Sequence, residues 1–174
     1  GLKVTGSDME VDMVGQVSAD VAQPGSITVP ARKLVDICKA LPEGARMDIQ
    51  LNSEQLAVHA GRSHFTLATL PAAEFPSSDP ASDADRLTVS EGKFGWLLEK
   101  VSFAMANQDV RHYLNGLLME FRNGMLRAVA TDGHRLALAE IEAEVHGDGR
   151  SLILPRKGVV ELARILSAED EPVE

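Results

Sequence analysis

The sequence predicts an α+β protein that carries parts of two tandem copies of one domain, each built from antiparallel strands and an amphipathic helix. Two pairs of segments recur about 125 residues apart: Leu2–Val14 resembles Leu126–Leu138, and Val29–Leu41 resembles Leu154–Leu166. Short segments of alternating apolar and polar residues surround these blocks, as is typical of antiparallel strands. Two blocks that recur in the same order indicate a duplicated domain.

The composition limits the class of protein. The 174 residues are 44% hydrophobic, which suffices for one ordinary domain or two small ones, and only 4% are aromatic, so the core must be largely aliphatic. Twenty-six acidic against seventeen basic residues give a net charge of -9. This charge argues against a surface coated with basic residues for tight nonspecific nucleic-acid binding, but it allows a local basic face. No apolar run approaches the length that spans a bilayer.

The first copy and its linker are predicted to occupy residues 1–84. "MEVDMVGQV" alternates as a half-buried strand does, and Pro30 introduces a helix predicted over Ala31–Leu41. The strands "MDIQL", "QLAVHA" and "HFTLATL" follow, with a tight turn expected at Asn52-Ser53. The helix is expected to face the core with Leu34, Ile37, Cys38 and Leu41. The one cysteine excludes an internal disulfide, and its apolar neighbours predict a buried thiol in a reducing compartment.

The second copy is predicted to occupy residues 85–174, after the linker "PAAEFPSSDPASDAD". It opens with "LTVS" and a helix over Glu91–Ala104, whose apolar face carries Phe94, Leu97, Leu98 and Val101. "YLNGLLMEF" and "MLRAVA" predict a hairpin across Arg122-Asn123-Gly124, and "HRLALAEIEAEV" predicts one further strand. The strand exposes Glu140, Glu142 and Glu144, and the repeated helix follows over Arg156–Ser167.

Both repeated helices display a basic pair on the side opposite their apolar stripe. Arg32 and Lys39 flank an acidic residue in the first copy, and Lys157 and Arg164 do so in the second. One such helix is typical of a solvated face with charge pairing along the helix. The recurrence of the pair in an acidic protein equally favours a shared task, namely a weakly positive surface for phosphates. The sequence leaves both interpretations open.

The chemistry-bearing residues do not form a recognisable catalytic or metal motif. Asp132 and His134 are close in sequence, but no G-x-S-x-G places a nucleophile beside them, so an enzyme centred on them is disfavoured. His59 and His64 lie on adjacent predicted strands without a cysteine or a ligand-like carboxylate spacing, so surface or hydrogen-bonded histidines are expected rather than metal ligands. No phosphate-binding glycine motif is present, and no cofactor is expected.

"TDGH" is predicted to be a hairpin turn, since Asp-Gly between alternating strands favours type I′ geometry. The first copy keeps the aspartate, as Asp8, but has Met-Glu-Val where the second copy has Gly133-His134-Arg135. If the turn served only to join strands, Gly-His-Arg would not be required. The second copy is therefore expected to have acquired a surface of its own at this turn.

Four segments together resemble the bacterial β sliding clamp family, the processivity subunit of the replicative DNA polymerase III. They are "TDGHRLAL", "QDVRHYLNGLL", "LPRKGVVELARIL" and "TVPARKLVDICKALPEG" with "GRSHFTLATLPAAEFP". The resemblance implies a DNA clamp fold, with antiparallel sheets outside and helices facing a central channel. It also implies a bacterial cytoplasmic protein without enzymatic activity, which acts as a homodimer ring around double-stranded DNA. This chain would hold the later part of the first domain and most of the second.

The resemblance also implies two sets of functional residues. DNA contacts are implied for Arg32, Lys39, Gln108, Arg111, His112, Tyr113, Lys157 and Arg164. A pocket for short apolar peptides of polymerases, the clamp loader and repair proteins is implied for Leu114, Thr131, Gly133, His134, Arg135 and Leu136. Trp96 departs from the pattern, because it lies on the polar side of its helix, where a channel residue is expected to be basic or polar. The alternative function is a stand-alone peptide-binding module that does not act on DNA.

Overall fold

The computed structural model describes residues 1–76, 86–146, 150–167, 169 and 171–174. The chain divides into unit 1, Gly1–Asp79, and unit 2, Pro80–Glu174. The domain boundary expected between residues 84 and 85 lies outside the described residues. The start of the predicted linker is ordered locally, because Leu70–Pro71 forms a strand and Ala72–Glu74 forms a 3-10 turn.

Unit 1 begins with an antiparallel hairpin, β1 (Leu2–Ser7) and β2 (Asp12–Val17), paired from Leu2 with Val17 to Ser7 with Asp12. Every residue of β2 is exposed, so the expectation of a half-buried strand is wrong. The reason is that alternation identifies the apolar side of a strand but does not determine whether another element covers it.

In the rest of unit 1, α1 packs on a three-stranded sheet, and two short strands form a separate pair. Its elements are β3 (Ile27–Thr28), α1 (Ala31–Ala40), β4 (Asp48–Asn52), β5 (Gln55–Ala60), β6 (Ser63–Ala68) and β7 (Leu70–Pro71). The strands β4, β5 and β6 are neighbours in that order, and β3 pairs with β7. The core consists of Ile37 on α1 and Leu56, Val58 and Leu67 on β5 and β6.

Two local predictions in unit 1 are wrong. Cys38 is exposed rather than buried, because the core stripe of α1 is centred on Ile37 and leaves the thiol at its edge. The turn between β4 and β5 is formed by Ser53 and the residue after it, since Asn52 still pairs with Gln55 in the ladder. Ser53 adopts a φ of 55° there.

Unit 2 combines two sheets with two helices. Its elements are β8 (Arg86–Ser90), α2 (Glu91–Ser102), β9 (Gly116–Arg122), β10 (Met125–Thr131), β11 (Leu136–Glu142), β12 (Glu144–His146), β13 (Ser151–Pro155), α3 (Arg156–Ile165) and β14 (Pro172–Val173). One sheet has the order β11-β10-β9-β13, and the other has the order β12-β8-β14. The strand predicted as continuous through residue 145 therefore divides at Ala143, where the chain passes from one sheet to the other.

The core of unit 2 lies where α2 and α3 pack on the β9–β11 sheet. Leu97, Leu98 and Val101 of α2 are fully buried, together with Leu117 and Leu126 of the sheet. This confirms both the apolar face predicted for α2 and the aliphatic character of the core. The helices end slightly earlier than predicted, α2 at Ser102 and α3 at Ile165.

The repeat predicted from the sequence is present in the structure. Both α1 and α3 have ten residues, and each follows a proline that stands at the N-cap in an extended conformation, Pro30 and Pro155. The hairpin between β9 and β10 also forms as predicted, with Asn123 at φ 53° and Gly124 at φ 74°. Positive φ at both central residues is what a type I′ turn requires.

Candidate functional site

The turn between β10 and β11 is held by two side chains of its own. Thr131 pairs with Leu136 to close the ladder. The Oδ1 atom of Asp132 accepts hydrogen bonds from the N–H groups of His134 at 2.9 Å and Arg135 at 3.0 Å. Thr131 Oγ1 accepts from the N–H of Gly133 at 3.1 Å and donates to the carbonyl of Arg135 at 2.7 Å.

This geometry corrects the predicted type I′ turn. Four residues separate the closing pair, and among these described residues only Gly133 has a positive φ, of 89°. An aspartate whose carboxylate accepts from the N–H groups two and three residues further on forms an Asx-type turn, which needs no positive φ at the aspartate itself. In this Asp-Gly pair, Asp132 supplies the hydrogen-bond acceptor and Gly133 supplies the positive φ, and both contribute to the turn.

The corresponding turn of the first copy is built in the same way. Asp8 Oδ1 accepts from the N–H groups of Glu10 and Val11, each at 3.1 Å, and Ser7 Oγ accepts from the N–H of Met9 at 3.1 Å. Met9 takes the place of Gly133 and adopts a φ of 70°. The hydroxyl and the carboxylate thus define the turn in both copies. The same turn forms with Met-Glu-Val in the first copy, so the turn alone does not determine the residue types Gly133, His134 and Arg135, which supports a separate role for them.

Arg135 extends from the turn over an exposed aromatic ring. Its Nε donates to Asp132 Oδ2 at 3.0 Å, and its guanidinium carbon lies 5.6 Å from the ring centroid of Phe103. Phe103 is 58% exposed, so the ring is available on its other side. The N–H groups of His134 and Arg135, together with the Arg135 guanidinium, hold the pKa of the Asp132 carboxyl below its ordinary value. The carboxylate stays charged and keeps the turn closed.

The loop between α2 and β9 is ordered by Asp109 and Asn115. The Asp109 N–H donates to Asn115 Oδ1 at 2.9 Å, and Asn115 Nδ2 donates back to the Asp109 carbonyl at 2.8 Å. The guanidinium of Arg111 binds both carboxylate oxygens of Asp109, at 3.0 and 2.9 Å. Hydrogen bonds from the side chain and backbone of Arg111 lower the pKa of Asp109 to about 2. Gln108 in the same loop adopts a φ of 57°.

Arg111 connects this loop with the β10–β11 turn. A Cβ atom placed on Gly133 would lie 3.3 Å from Arg111 Nη2, so the guanidinium rests directly against the glycine. The family resemblance implies DNA contact for Arg111 and a place in the peptide pocket for Gly133. The structure brings the two residues together, with Asp109 holding the arginine in place.

The two leucines assigned to the pocket differ in burial. Leu114 is only 8% exposed and belongs to the core edge, whereas Leu136 is 65% exposed at the start of β11. Leu138, two residues further on, is also exposed. In an antiparallel strand, residues two apart share one face. Leu136 and Leu138 therefore present an accessible apolar surface beside the turn.

The remaining residues assigned to DNA lie on the surface in different ways. His112 and Tyr113 are exposed in the loop before β9, beside Gln108. Arg32 and Lys39 are exposed on α1. Lys157 is half-buried on α3, where it has an interaction partner, and Arg164 Nη1 binds Glu161 Oε1 at 2.7 Å. Charge pairing along the helix is thus realised on α3.

Trp96 lies on the solvent side of α2, as the helical periodicity predicts. It is 46% exposed, and the ammonium of Lys100 lies 6.0 Å from its ring centroid. The sequence therefore placed this residue correctly, although not its cationic neighbour.

Three residues of the site were missed by sequence reasoning. Asp109 and Asn115 order the loop, and Phe103 lies under Arg135. An aspartate two residues before an arginine is a local signal that could have been used for Asp109. Phe103 is brought to Arg135 only by the packing of α2 on β11, and no spacing in the sequence reveals that contact.

The described residues contain neither a three-ligand metal cluster nor a helix that could span a membrane. No group of three or more His, Cys, Asp or Glu side chains is arranged there to hold a metal ion. None of the helices described is long and apolar enough to cross a membrane. His59 and His64 contact each other through their Nδ1 atoms.

Comparison with known families gives two consecutive matches. Residues 1–79 match the family described as DNA polymerase III beta subunit, N-terminal domain, and residues 88–174 match the central domain of the same subunit. The chain belongs to the DNA polymerase III beta subunit family. The two matched domains of this family coincide with the duplicated units, which confirms the clamp fold predicted from the repeat and the motifs.

Similarity to individual proteins supports the same family assignment. The chain is 50% identical over 174 residues to the beta sliding clamp of Pseudomonas aeruginosa, covering 99% of this chain and 47% of that protein. It is 47% identical over 173 residues to the beta sliding clamp of Escherichia coli K12, again with 99% and 47% coverage. The chain thus spans about half the length of the curated relatives it matches.

Solved structures of DNA polymerase III beta subunits are similar to this chain over almost its whole length. A crystal structure of this subunit from Pseudomonas aeruginosa matches with a TM-score of 0.90 and 48% identity, covering 98% of this chain and 47% of that one. A sliding clamp from the same organism bound to griselimycin matches with a TM-score of 0.90 and 49% identity, covering 98% and 47%.

Proposed function

We propose that the protein of which this chain is part is a processivity factor for a DNA polymerase. It closes as a homodimer ring around double-stranded DNA, without sequence specificity, and tethers the polymerase and other replication and repair proteins. The observation that carries the proposal is the pair of consecutive matches, in one chain, to the N-terminal and central domains of the DNA polymerase III beta subunit. The protein is proposed to be non-catalytic and to act in the bacterial cytoplasm.

The net charge of -9 is compatible with a tether that slides. Every phosphate that a protein neutralises adds affinity and salt dependence, so a mobile protein is best served by few such contacts. A closed ring keeps the protein on DNA by topology instead. Backbone contacts carry no sequence information, which fits a factor that must travel over any sequence. The proposed contacts are Arg32, Lys39, Lys157 and Arg164 on the repeated helices, and Gln108, Arg111, His112 and Tyr113 on the loop.

The β10–β11 turn is the proposed docking surface for short apolar motifs of the polymerase, the clamp loader and repair proteins. Leu136 offers the apolar contact, with Thr131, Gly133, His134 and Arg135 forming the turn beside it and Leu114 behind. Arg111 borders the same surface through its contact with Gly133, so it belongs with the docking residues as well as with the loop.

Peptide binding tests the docking surface. Leu136→Ala in the full-length protein is expected to weaken binding of an apolar polymerase-derived peptide about tenfold, because it removes an exposed apolar contact rather than a core residue. Leu152→Ala is the matched control, since Leu152 is also an exposed leucine on a strand and is not assigned to the surface. Isothermal titration that gave equal affinities for the Leu136→Ala variant and the wild type would overturn the assignment.

Retention on DNA tests the ring. The full-length protein, loaded on a closed circular plasmid, is expected to survive a salt wash and to be released when the plasmid is linearised. Release from the circle at the same salt as from linear DNA would contradict encirclement. If peptide binding persisted in that case, the protein would be an interaction module that does not act on DNA. All residues of the β10–β11 turn lie within this chain, which is compatible with that alternative.

A further inference from the structure

The sheet of unit 1 carries a row of three polar residues on its solvent face. Asp48 on β4 lies opposite His59 on β5, and His59 lies opposite His64 on β6. Directly opposed residues of antiparallel strands point to the same face, with Cβ atoms about 5 Å apart. Leu56 and Val58 of β5 anchor the other face in the core. The row is therefore held on a packed scaffold but remains exposed to solvent.

The two histidine rings converge on one point. Their Nδ1 atoms are in hydrogen-bond contact, and the ring centroids lie 4.5 Å apart at an interplanar angle of 75°. One Nδ1 must donate its proton and the other must accept it through its lone pair. After loss of that shared proton, both lone pairs point into the same space. Two converging imidazole nitrogens are a ligand arrangement that divalent transition metals accept.

We propose that His59 and His64 bind a divalent transition-metal ion such as Zn²⁺ or Cu²⁺ through their Nδ1 atoms. Binding forms two metal–nitrogen bonds; the proton between the two Nδ1 atoms leaves, and the ring that carried it takes a proton from solvent on Nε2, so that both ligands are neutral imidazoles protonated on Nε2. Bond lengths of about 2.0–2.1 Å at a tetrahedral angle place the two nitrogens about 3.3 Å apart. Both side chains are exposed, so small ring rotations reach that separation.

Neighbouring charges shape the site. Asp48, on the same face as His59, adds a negative charge that favours a cation, although Arg46 Nε lies 3.4 Å from its carboxylate and offsets part of that charge. Since no three-ligand set is arranged within the described residues, the site has two protein ligands. Water completes the coordination, which leaves positions open to an incoming ligand. None of these residues belongs to the docking turn or the basic helix faces, so the site is independent of the proposed function.

Titration with the metal alone tests the site. Calorimetry with Zn²⁺ in a non-chelating buffer is expected to give one ion per chain in the micromolar range. His59→Gln and His64→Gln should each weaken binding at least about tenfold, because each removes one of two ligands. Thr66→Ala, at an exposed position of β6 two residues from His64, should bind as the wild type does. Cu²⁺ should bind more tightly than Zn²⁺, following the general order of divalent affinities.

NMR spectra of the wild-type protein test the site without relying on variants that could fail to fold. Addition of Zn²⁺ should shift the imidazole resonances of His59 and His64 in NMR spectra and leave those of His112 and His134 in place. The proposal is overturned if no binding occurs up to about 1 mM Zn²⁺, or if a His59→Gln, His64→Gln double variant binds as the wild type does. Shifts confined to other histidines would overturn it equally.

Discussion

At the scale of single residues, Asp109 has the most consequences for the candidate site. Its carboxylate binds Arg111 through both oxygens, and the Arg111 guanidinium rests against Gly133 of the β10–β11 turn. The aspartate touches neither proposed ligand. It is a positioning residue, because it decides where the guanidinium stands between the loop and the turn.

The pH dependence of this contact has a definite sign. The pKa of Asp109 is lowered to about 2, so the loop gains stability above the unfolded value, near 4, and loses it as the pH falls through about 2. NMR titration of the Asp109 carboxyl carbon should give a midpoint near 2. In an Arg111→Ala variant, the midpoint should rise toward 4. An unchanged midpoint in that variant would show that Arg111 does not hold the carboxylate.

Gly133 and Met9 form a matched pair for backbone strain. Gly133→Ala places a side chain at φ 89° and against Arg111, which should lower the free energy of unfolding of unit 2 by about 1–2 kcal/mol. Met9→Gly should instead stabilise the β1–β2 hairpin by up to about 1 kcal/mol, because Met9 holds a φ of 70°. Its side chain is 83% exposed, so little packing is lost. Amide hydrogen exchange and thermal unfolding measure both effects; changes of the same sign would contradict this account.

At the scale of elements, a glycine in a hairpin turn and a glycine in a helix have different structural roles. Gly124 has a φ of 74° and nothing within 4 Å of its missing side chain, so its role is conformational. Gly95 lies within α2, where an added Cβ would come 3.9 Å from Leu166 Cβ, an ordinary contact. One glycine is required by a turn, and the other only weakens a helix.

Alanine substitutions should therefore act in opposite directions. Gly124→Ala is expected to lower the free energy of unfolding by about 1–2 kcal/mol, since the type I′ turn requires positive φ there. Gly95→Ala should raise it by about 0.4–1 kcal/mol, through higher helix propensity and fewer unfolded conformations. Urea denaturation of both variants, compared with the wild type, tests this. Destabilisation by Gly95→Ala would indicate that Leu166 cannot accommodate the extra methyl group.

The elements were largely predictable from the sequence, whereas their environment was not. Periodicity located α1, α2 and α3 and the hairpin at Asn123-Gly124, because those signals are local. The predicted burial of β2 and of Cys38 was wrong, since burial depends on which other elements pack against a strand or helix. The division at Ala143 was missed for the same reason: the switch between sheets is decided by strand pairing, and the residues around it continue to alternate.

The site shows the same division between local and tertiary information. The turn residues were found because the two copies differ there, and the hydroxyl–carboxylate pair that they share was visible as Ser-Asp and Thr-Asp. The position of Arg111 on Gly133, the ring of Phe103 under Arg135 and the convergence of His59 and His64 all depend on contacts between elements. Side-chain contacts of this kind are not encoded in spacing.

At the scale of the whole molecule, the proposed function combines two kinds of attachment to DNA: electrostatic contacts from the basic helix faces and topological closure of the ring. Electrostatic contacts act before and after the ring closes, and they weaken with salt. Retention by a closed ring does not weaken with salt in this way. The proposed function therefore predicts that the basic residues affect encounter more than retention.

A double substitution on α1 tests this separation in the full-length protein. Arg32→Ala with Lys39→Ala should weaken binding to linear DNA and reduce the slope of log K against log salt by up to about 2. Retention on closed circular DNA after loading should be unchanged. Arg46→Ala with Arg62→Ala removes two exposed bases away from the helix face and serves as the control. An equal slope in both double variants would exclude α1 from the DNA-facing surface.

The two hydroxyl–carboxylate turns have a consequence for how such a protein can change. In both copies a Ser or Thr and an Asp bind backbone N–H groups of the three residues that follow, so the side chains at those three positions can be exchanged while the hairpin is kept. One copy can then carry Met-Glu-Val and the other Gly-His-Arg on the same support. Duplication of such a turn separates folding from recognition, so a new binding specificity can evolve, or be grafted by design, in one repeat while the other stays as it was.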